Sequence, residues 1–140
     1  MLKPDFLCDS TIKYSPLSPH GLDQSSWKIK IKIVSGQHIP KPEGSSDIID
    51  PYVKVRLRGH VDDERNGDDK INKGKTQPVS NNGFNPVWNE SFGLEAKVPE
   101  LAFLELKVKD HSKSGTDKDL AAFSCPLTLI REGMEVLLDH

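Results

Sequence analysis

The chain lacks any hydrophobic run approaching the roughly 20 apolar residues that a membrane-spanning helix needs. It has too few cysteines, Cys8 and Cys125 only, for a disulfide framework. Cys125 sits in an apolar run and reads as a buried free thiol. It has no dominant charge: 19 basic residues against 21 acidic ones leave a net −2. That balance gathers no nucleic acid, so none is expected as a partner and any basic effect must be local. Lys3, Pro4 and Asp5 interrupt the start before an apolar leader core could form, so secretion is not expected and a cytoplasmic chain is. None of His20, His38, His60, His111 and His140 is paired at a metal-ligand spacing such as H-x-x-x-H. No serine stands in a nucleophile elbow and no glycine-rich phosphate loop precedes a helix, so the chain alone is not expected to catalyse a reaction.

What is present is strand alternation. At 140 residues the chain has room for one domain with a real core plus a short extension. Residues 1–26 carry Pro4, Pro16, Pro19 and several serines with little periodicity, and read as an extended linker. Over 27–34, Trp27, Ile29, Ile31 and Ile33 alternate with Lys28, Lys30 and Lys32, the pattern of a half-buried strand. From Pro51, Val53, Val55 and Leu57 alternate with Lys54, Arg56 and Arg58. Residues 59–72 hold Asp62, Asp63, Glu64, Asn66, Asp68 and Asp69 among few apolar side chains and read as a solvated hairpin loop. A weak third strand spans 73–79, with Pro78 placing it at an edge. Further strands are expected over the Trp88 region, 101–109, 120–129 and 135–139, and no helix is. Seven short strands separated by turn signals predict an antiparallel β-sandwich occupying 27–140.

In an antiparallel chain alternate connections land at one end. Loops 34–50, 80–87 and 110–119 should therefore cluster, with the acidic loop 59–72 at the opposite end. The clustered loops hold Asp47, Asp50, Asn81, Asn82, Asp110, Ser112, Asp117 and Asp119. Ca²⁺ takes about 6–8 oxygen ligands, and three convergent loops can offer them where no single loop has EF-hand spacing. Each acid also has an ordinary reading as a solvated or turn-capping loop residue. Ile48 and Ile49, at the tip of the first loop, either insert into a membrane interface or pack beneath the loop. The six outward Lys and Arg residues either attract an anionic leaflet or keep the sheet soluble and its edges unpaired.

Residues 81–92 read NNGFNPVWNESF. Asn-Asn-Gly turns the chain, Pro86 forces Asn85 extended, and Trp88, Phe92 and Leu94 share one face with Glu90 among them. This run resembles the fourth strand of C2 domains, and Asp50-Pro51-Tyr52-Val53 resembles their DPYV motif. The opening Lys3-Pro4-Asp5-Phe6-Leu7 resembles the end of the catalytic barrel of eukaryotic phosphoinositide-specific phospholipase C, a family in which a linker and a C2 domain follow.

The resemblance implies an all-β, antiparallel Greek-key β-sandwich of type II strand order, with seven strands present and the eighth missing beyond His140. It implies that 1–26 is the end of a barrel plus linker and that the chain is a fragment of a longer enzyme hydrolysing phosphatidylinositol 4,5-bisphosphate to diacylglycerol and inositol trisphosphate. Its role would be Ca²⁺-dependent or Ca²⁺-assisted docking on an anionic phospholipid membrane, as a cytoplasmic, peripheral module partnered with the barrel. By the same resemblance Asp50 and Asp110 are the leading calcium ligands, with Asp119, Asp117, Asp47 and Asn82 behind them, and Ser112 stands where the family usually has an acid. The rival reading is a calcium-independent protein-interaction or scaffold module.

Overall fold

In the computed structural model, residues 5–9, 26–59, 72–131 and 133–137 are described, with side chains for 26–59, 72–131 and 133. Among the described residues eight strands run in chain order: β1 (Asp5–Asp9), β2 (Trp27–Ser35), β3 (Pro51–Arg58), β4 (Lys73–Lys75), β5 (Val87–Ala96), β6 (Phe103–Asp110), β7 (Lys118–Pro126) and β8 (Met134–Leu137). They form two antiparallel four-stranded sheets, ordered β5-β2-β1-β8 and β4-β3-β6-β7. Among the described residues the only helical pieces are 3₁₀ turns at Pro99–Leu101 and Leu127–Leu129.

The alternation in β2 and β3 fills the interior. Ile29, Ile31 and Ile33 from one sheet meet Val53, Val55 and Leu57 from the other, with Leu104, Leu106 and Val108 of β6 beside them. All are buried, as a sandwich with one wet face per sheet requires. Trp88 lies in the same core, and its indole N–H donates to the Pro51 carbonyl at 3.2 Å, tying β5 to the start of β3 across the two sheets. Glu90, on that face, sits half-buried at the rim and accepts the Gln77 N–H at 3.0 Å.

Three expectations are corrected. The eighth strand is present, and it comes from the N-terminal side: β1 pairs with both β2 and β8, so the expected type II order with a missing final strand is not the one found. The residues resembling the end of a catalytic barrel thus supply a strand to this sandwich. The physical reason is that a slot between two strands is filled through backbone hydrogen bonds, which five residues of almost any sequence can make. Second, β4 is only three residues long, although it does take the expected edge position. Third, Cys125 is half-buried; its Sγ lies 3.4 Å from the Pro126 carbonyl and burial pushes its pKa up. The acidic stretch 60–71 and most of 1–26 lie outside the described residues.

Candidate functional site

Strand counting places the β2–β3, β4–β5 and β6–β7 connections at one end, and the structure knits them there. The first loop pairs with the second through Gly36 N–H to Pro86 O at 2.9 Å, His38 N–H to Phe84 O at 2.8 Å and Ile39 N–H to Gly83 O at 2.7 Å. The third joins the first through His111 N–H to Asp50 O at 3.0 Å. Gly83 is required: a Cβ there would lie 2.8 Å from Ile49 Cγ1. Asn81, at φ 51, takes the left-handed turn that Asn tolerates.

The carboxylates are held within this net. Asp50, 9% exposed, accepts the Asn81 N–H on Oδ1 at 2.7 Å, and its own N–H donates to Asp110 Oδ1 at 2.8 Å. Asp50 and Asp110 thus share a polar cleft of ≈ 380 Å³, which Asp47, Ser112, Lys113 and Lys118 also line. One oxygen of each of the two central carboxylates is engaged by a backbone donor.

The other expected ligands are placed differently. Asp117 does not line the cleft. Its Oδ2 accepts the Tyr52 hydroxyl at 2.6 Å and its Oδ1 accepts the Ser112 N–H at 2.9 Å, with His111 Nδ1 3.3 Å away. The Tyr52 bond first, then the Ser112 amide, hold its pKa below the usual carboxylate range. Asp119 is drawn off by Lys109, at 3.1 Å, and is absent from the cleft too. The Asn82 side chain closes its own turn, accepting the Asn85 N–H at 3.0 Å. Ile49 is buried at 1% exposure in the core, so it cannot meet a membrane, whereas its neighbour Ile48 is 56% exposed. Adjacent residues of extended backbone face opposite ways, which separates the two.

Sequence reading passed over Phe84, 65% exposed, which stacks edge-on against His38 with ring centroids 4.6 Å apart. Phe84 and Ile48 line a second, apolar hollow of ≈ 510 Å³ between the first two loops. An aromatic inside a turn with no apolar partner in register was the available signal. The six outward basic residues form no single face. β2 and β3 belong to different sheets, so Lys28, Lys30 and Lys32 lie on the opposite side of the sandwich from Lys54, Arg56 and Arg58. Glu105 pairs with Arg58 at 3.1 Å, a partly exposed contact that contributes little.

Tyr52 carries a stability consequence. Its pKa is pushed up from 10.0 to about 12 by burial, then by the hydrogen bond and charge of Asp117 and the charge of Asp119. The folded value lies above the unfolded one. Its contribution is therefore complete below pH 10 and lost as pH rises toward about 12. The loss should amount to roughly 2 kcal/mol. Urea melts across that range should show the wild type losing more stability than Tyr52→Phe; parallel losses in the two proteins would place the cause in other groups.

An antiparallel sandwich with two carboxylates gathered by three loops at one end defines the class. A family model described as "C2 domain" matches residues 27–137. The chain belongs to the C2 domain family. It is 32% identical over 136 residues to the 1-phosphatidylinositol 4,5-bisphosphate phosphodiesterase delta-3-A of Danio rerio, covering 95% of this chain and 16% of that protein. It is 31% identical over 138 residues to the human delta-1 phosphodiesterase, covering 95% of this chain and 17% of that protein. The chain thus spans about a sixth of the length of these curated relatives. A solved C2 domain of RIM from Drosophila superposes with a TM-score of 0.62 at 17% identity, covering 99% of this chain and all of that one. A solved C2 domain of plant Extended Synaptotagmin 1 has a TM-score of 0.53 at 27% identity, covering 73% of this chain and 70% of that one.

Among the described residues no three His, Cys, Asp or Glu side chains stand together as a metal-holding group. The cleft's acids and hydroxyls are oxygen donors, the kind a hard cation takes. They fit Ca²⁺ in kind and fall short in carboxylates, since Asp47, Asp50 and Asp110 are the acids that line the cleft and the three do not stand together.

Proposed function

We propose that the chain is a membrane-docking module whose loop end meets an anionic phospholipid surface with the assistance of Ca²⁺. The observation that carries this is one juxtaposition: Asp50 and Asp110 share a cleft at the same end as the exposed Ile48 and Phe84. A cation held by two carboxylates offsets their repulsion from lipid phosphates, and the two apolar tips supply area to bury in the interface. Residues 5–9 form β1 here; in a protein of the relatives' length, residues 1–26 would instead be the tail of a catalytic barrel and its linker. The module would then hold that barrel at phosphatidylinositol 4,5-bisphosphate as a cytoplasmic, peripheral enzyme. Lys113 and Lys118, in the same cleft, favour a second reading in which anionic partners bind without calcium.

Sedimentation with phosphatidylserine-containing liposomes, in calcium and in chelator, separates the two. Calcium should raise binding, and Asp50→Asn or Asp110→Asn should remove most of that increment, a loss of roughly tenfold in apparent affinity, since affinity follows ligand charge. Equal sedimentation in chelator would select the calcium-independent reading.

A further inference from the structure

The third loop offers the cleft fewer acids than it contains, and the reason lies on a different strand. Tyr52 follows directly on the Asp50-Pro51 pair at the start of β3, and at 7% exposure its ring is fixed in the sandwich. Its hydroxyl reaches across to the β6–β7 loop, 65 residues along the chain, and donates to Asp117 Oδ2 at 2.6 Å. Ser112 N–H takes Oδ1 at 2.9 Å, bending the loop back on itself. His111, stacked edge-on to Tyr52 with centroids 6.4 Å apart, closes the third side at 3.3 Å. Both oxygens of Asp117 are therefore engaged, Oδ2 by Tyr52 behind the cleft and Oδ1 by Ser112 and His111 of its wall, while Asp50 and Asp110 each give only one oxygen to a backbone donor.

We infer that Tyr52 is a latch: it holds the Asp117 carboxylate out of the calcium cleft, keeps the third loop closed without an ion, and sets the cleft's calcium affinity low. The inference rests on the docking reading above, whose cation it concerns. A cation that recruits Asp117 must first break the tyrosine's hydrogen bond to a charged acceptor, among the stronger bonds a side chain makes. Removing the hydroxyl while keeping the ring releases the carboxylate and leaves the packing intact. Tyr52 is a positioning residue here: it touches no ion and acts through Asp117.

The test uses the full chain as wild type, Tyr52→Phe, Asp117→Asn, the double variant and Asp50→Asn. Without metal, Tyr52→Phe should speed hydrogen exchange at the Ser112 amide and trypsin cleavage after Lys113. By Ca²⁺ calorimetry, Tyr52→Phe should bind roughly ten- to a hundredfold tighter, the effect of sparing one charge-assisted bond. Asp117→Asn should titrate within about twofold of wild type, and the double variant should lose the gain, because the two residues act as one unit. Unchanged Ser112 exchange in Tyr52→Phe overturns the latch whatever calcium does. Weaker binding by Asp117→Asn alone overturns it as well, since Asp117 would already be a ligand. Calcium binding that needs Asp50 but is equal in wild type and Tyr52→Phe overturns the latch and leaves the docking reading standing. No calcium binding by any form overturns both.

Discussion

Replacing Asn72 with alanine is expected to lower the melting temperature by roughly 8–15 °C, corresponding to about 2–4 kcal/mol for a chain of this size. Asn72, directly before β4, is 3% exposed. Its side-chain amide behaves as a one-residue strand: Nδ2 donates to Glu95 O at 2.8 Å and Oδ1 accepts Glu95 N–H at 2.8 Å. Glu95 lies on β5, an edge of one sheet, while the Asn72 carbonyl accepts Leu57 N–H at 2.9 Å from β3 of the other. One residue therefore clasps the two sheets and satisfies an edge that would otherwise turn to water. It does so at φ 60, a conformation asparagine tolerates better than alanine. Asn72→Gly separates the contributions, because glycine relieves the backbone and still loses the clasp. If Asn72→Gly melts like the wild type, the cost belongs to backbone conformation and the hydrogen bonds contribute nothing.

Asn72 also shows where the sequence stops being readable. The isoleucines of β2 and the valines of β3 announce their strands, because a half-buried strand must alternate whatever it faces. Convergence of the loops that carry Asp50 and Asp110 follows from strand counting alone, and there the Asp50 N–H reaches Asp110 Oδ1. The strand β1 cannot be found the same way. It needs only backbone partners on both sides, so Asp5–Asp9 carries no pattern of its own, and strand counting looks for the missing strand at the other end of the chain. Within the site, spacing alone does not rank the loop aspartates. Which of them faces the cleft depends on which donor reaches each carboxylate first: Tyr52 for Asp117 and Lys109 for Asp119. Tyr52 is 65 residues away along the chain, and Lys109 stands directly opposite Asp119 in the β6–β7 ladder, a pairing that shows only once that register is known. Ile48 and Ile49 read as a pair in sequence, yet one turns outward and the other lies beneath Gly83.

At the end of the sandwich away from Asp50 and Asp110, Gly59→Ala is expected to cost at least about 3 kcal/mol. Gly59 closes β3 at φ +144, a region that residues with a Cβ rarely enter. The space there is taken as well: a Cβ would lie 2.1 Å from the Leu101 carbonyl oxygen and 2.9 Å from its carbon. Those are backbone atoms of the 3₁₀ turn Pro99–Leu101, which cannot rotate aside as a side chain can. Ala102, the next residue, is 2% exposed, and its carbonyl accepts Leu127 N–H at 2.9 Å, so displacing the first turn strains the second. Two controls identify the cause. Leu101→Ala, which trims a side chain 54% exposed, should stay within about 0.5 kcal/mol of wild type, because the contact belongs to its backbone. The fraction of Gly59→Ala that remains folded at low temperature should bind Ca²⁺ as the wild type does, since β3 carries Asp50's neighbour Pro51 at one end and Arg58, the neighbour of Gly59, at the other. A chemical melt of Gly59→Ala within about 1 kcal/mol of wild type would mean that the turn yields, and that the close approach of the two connections is not what fixes this end of the sandwich.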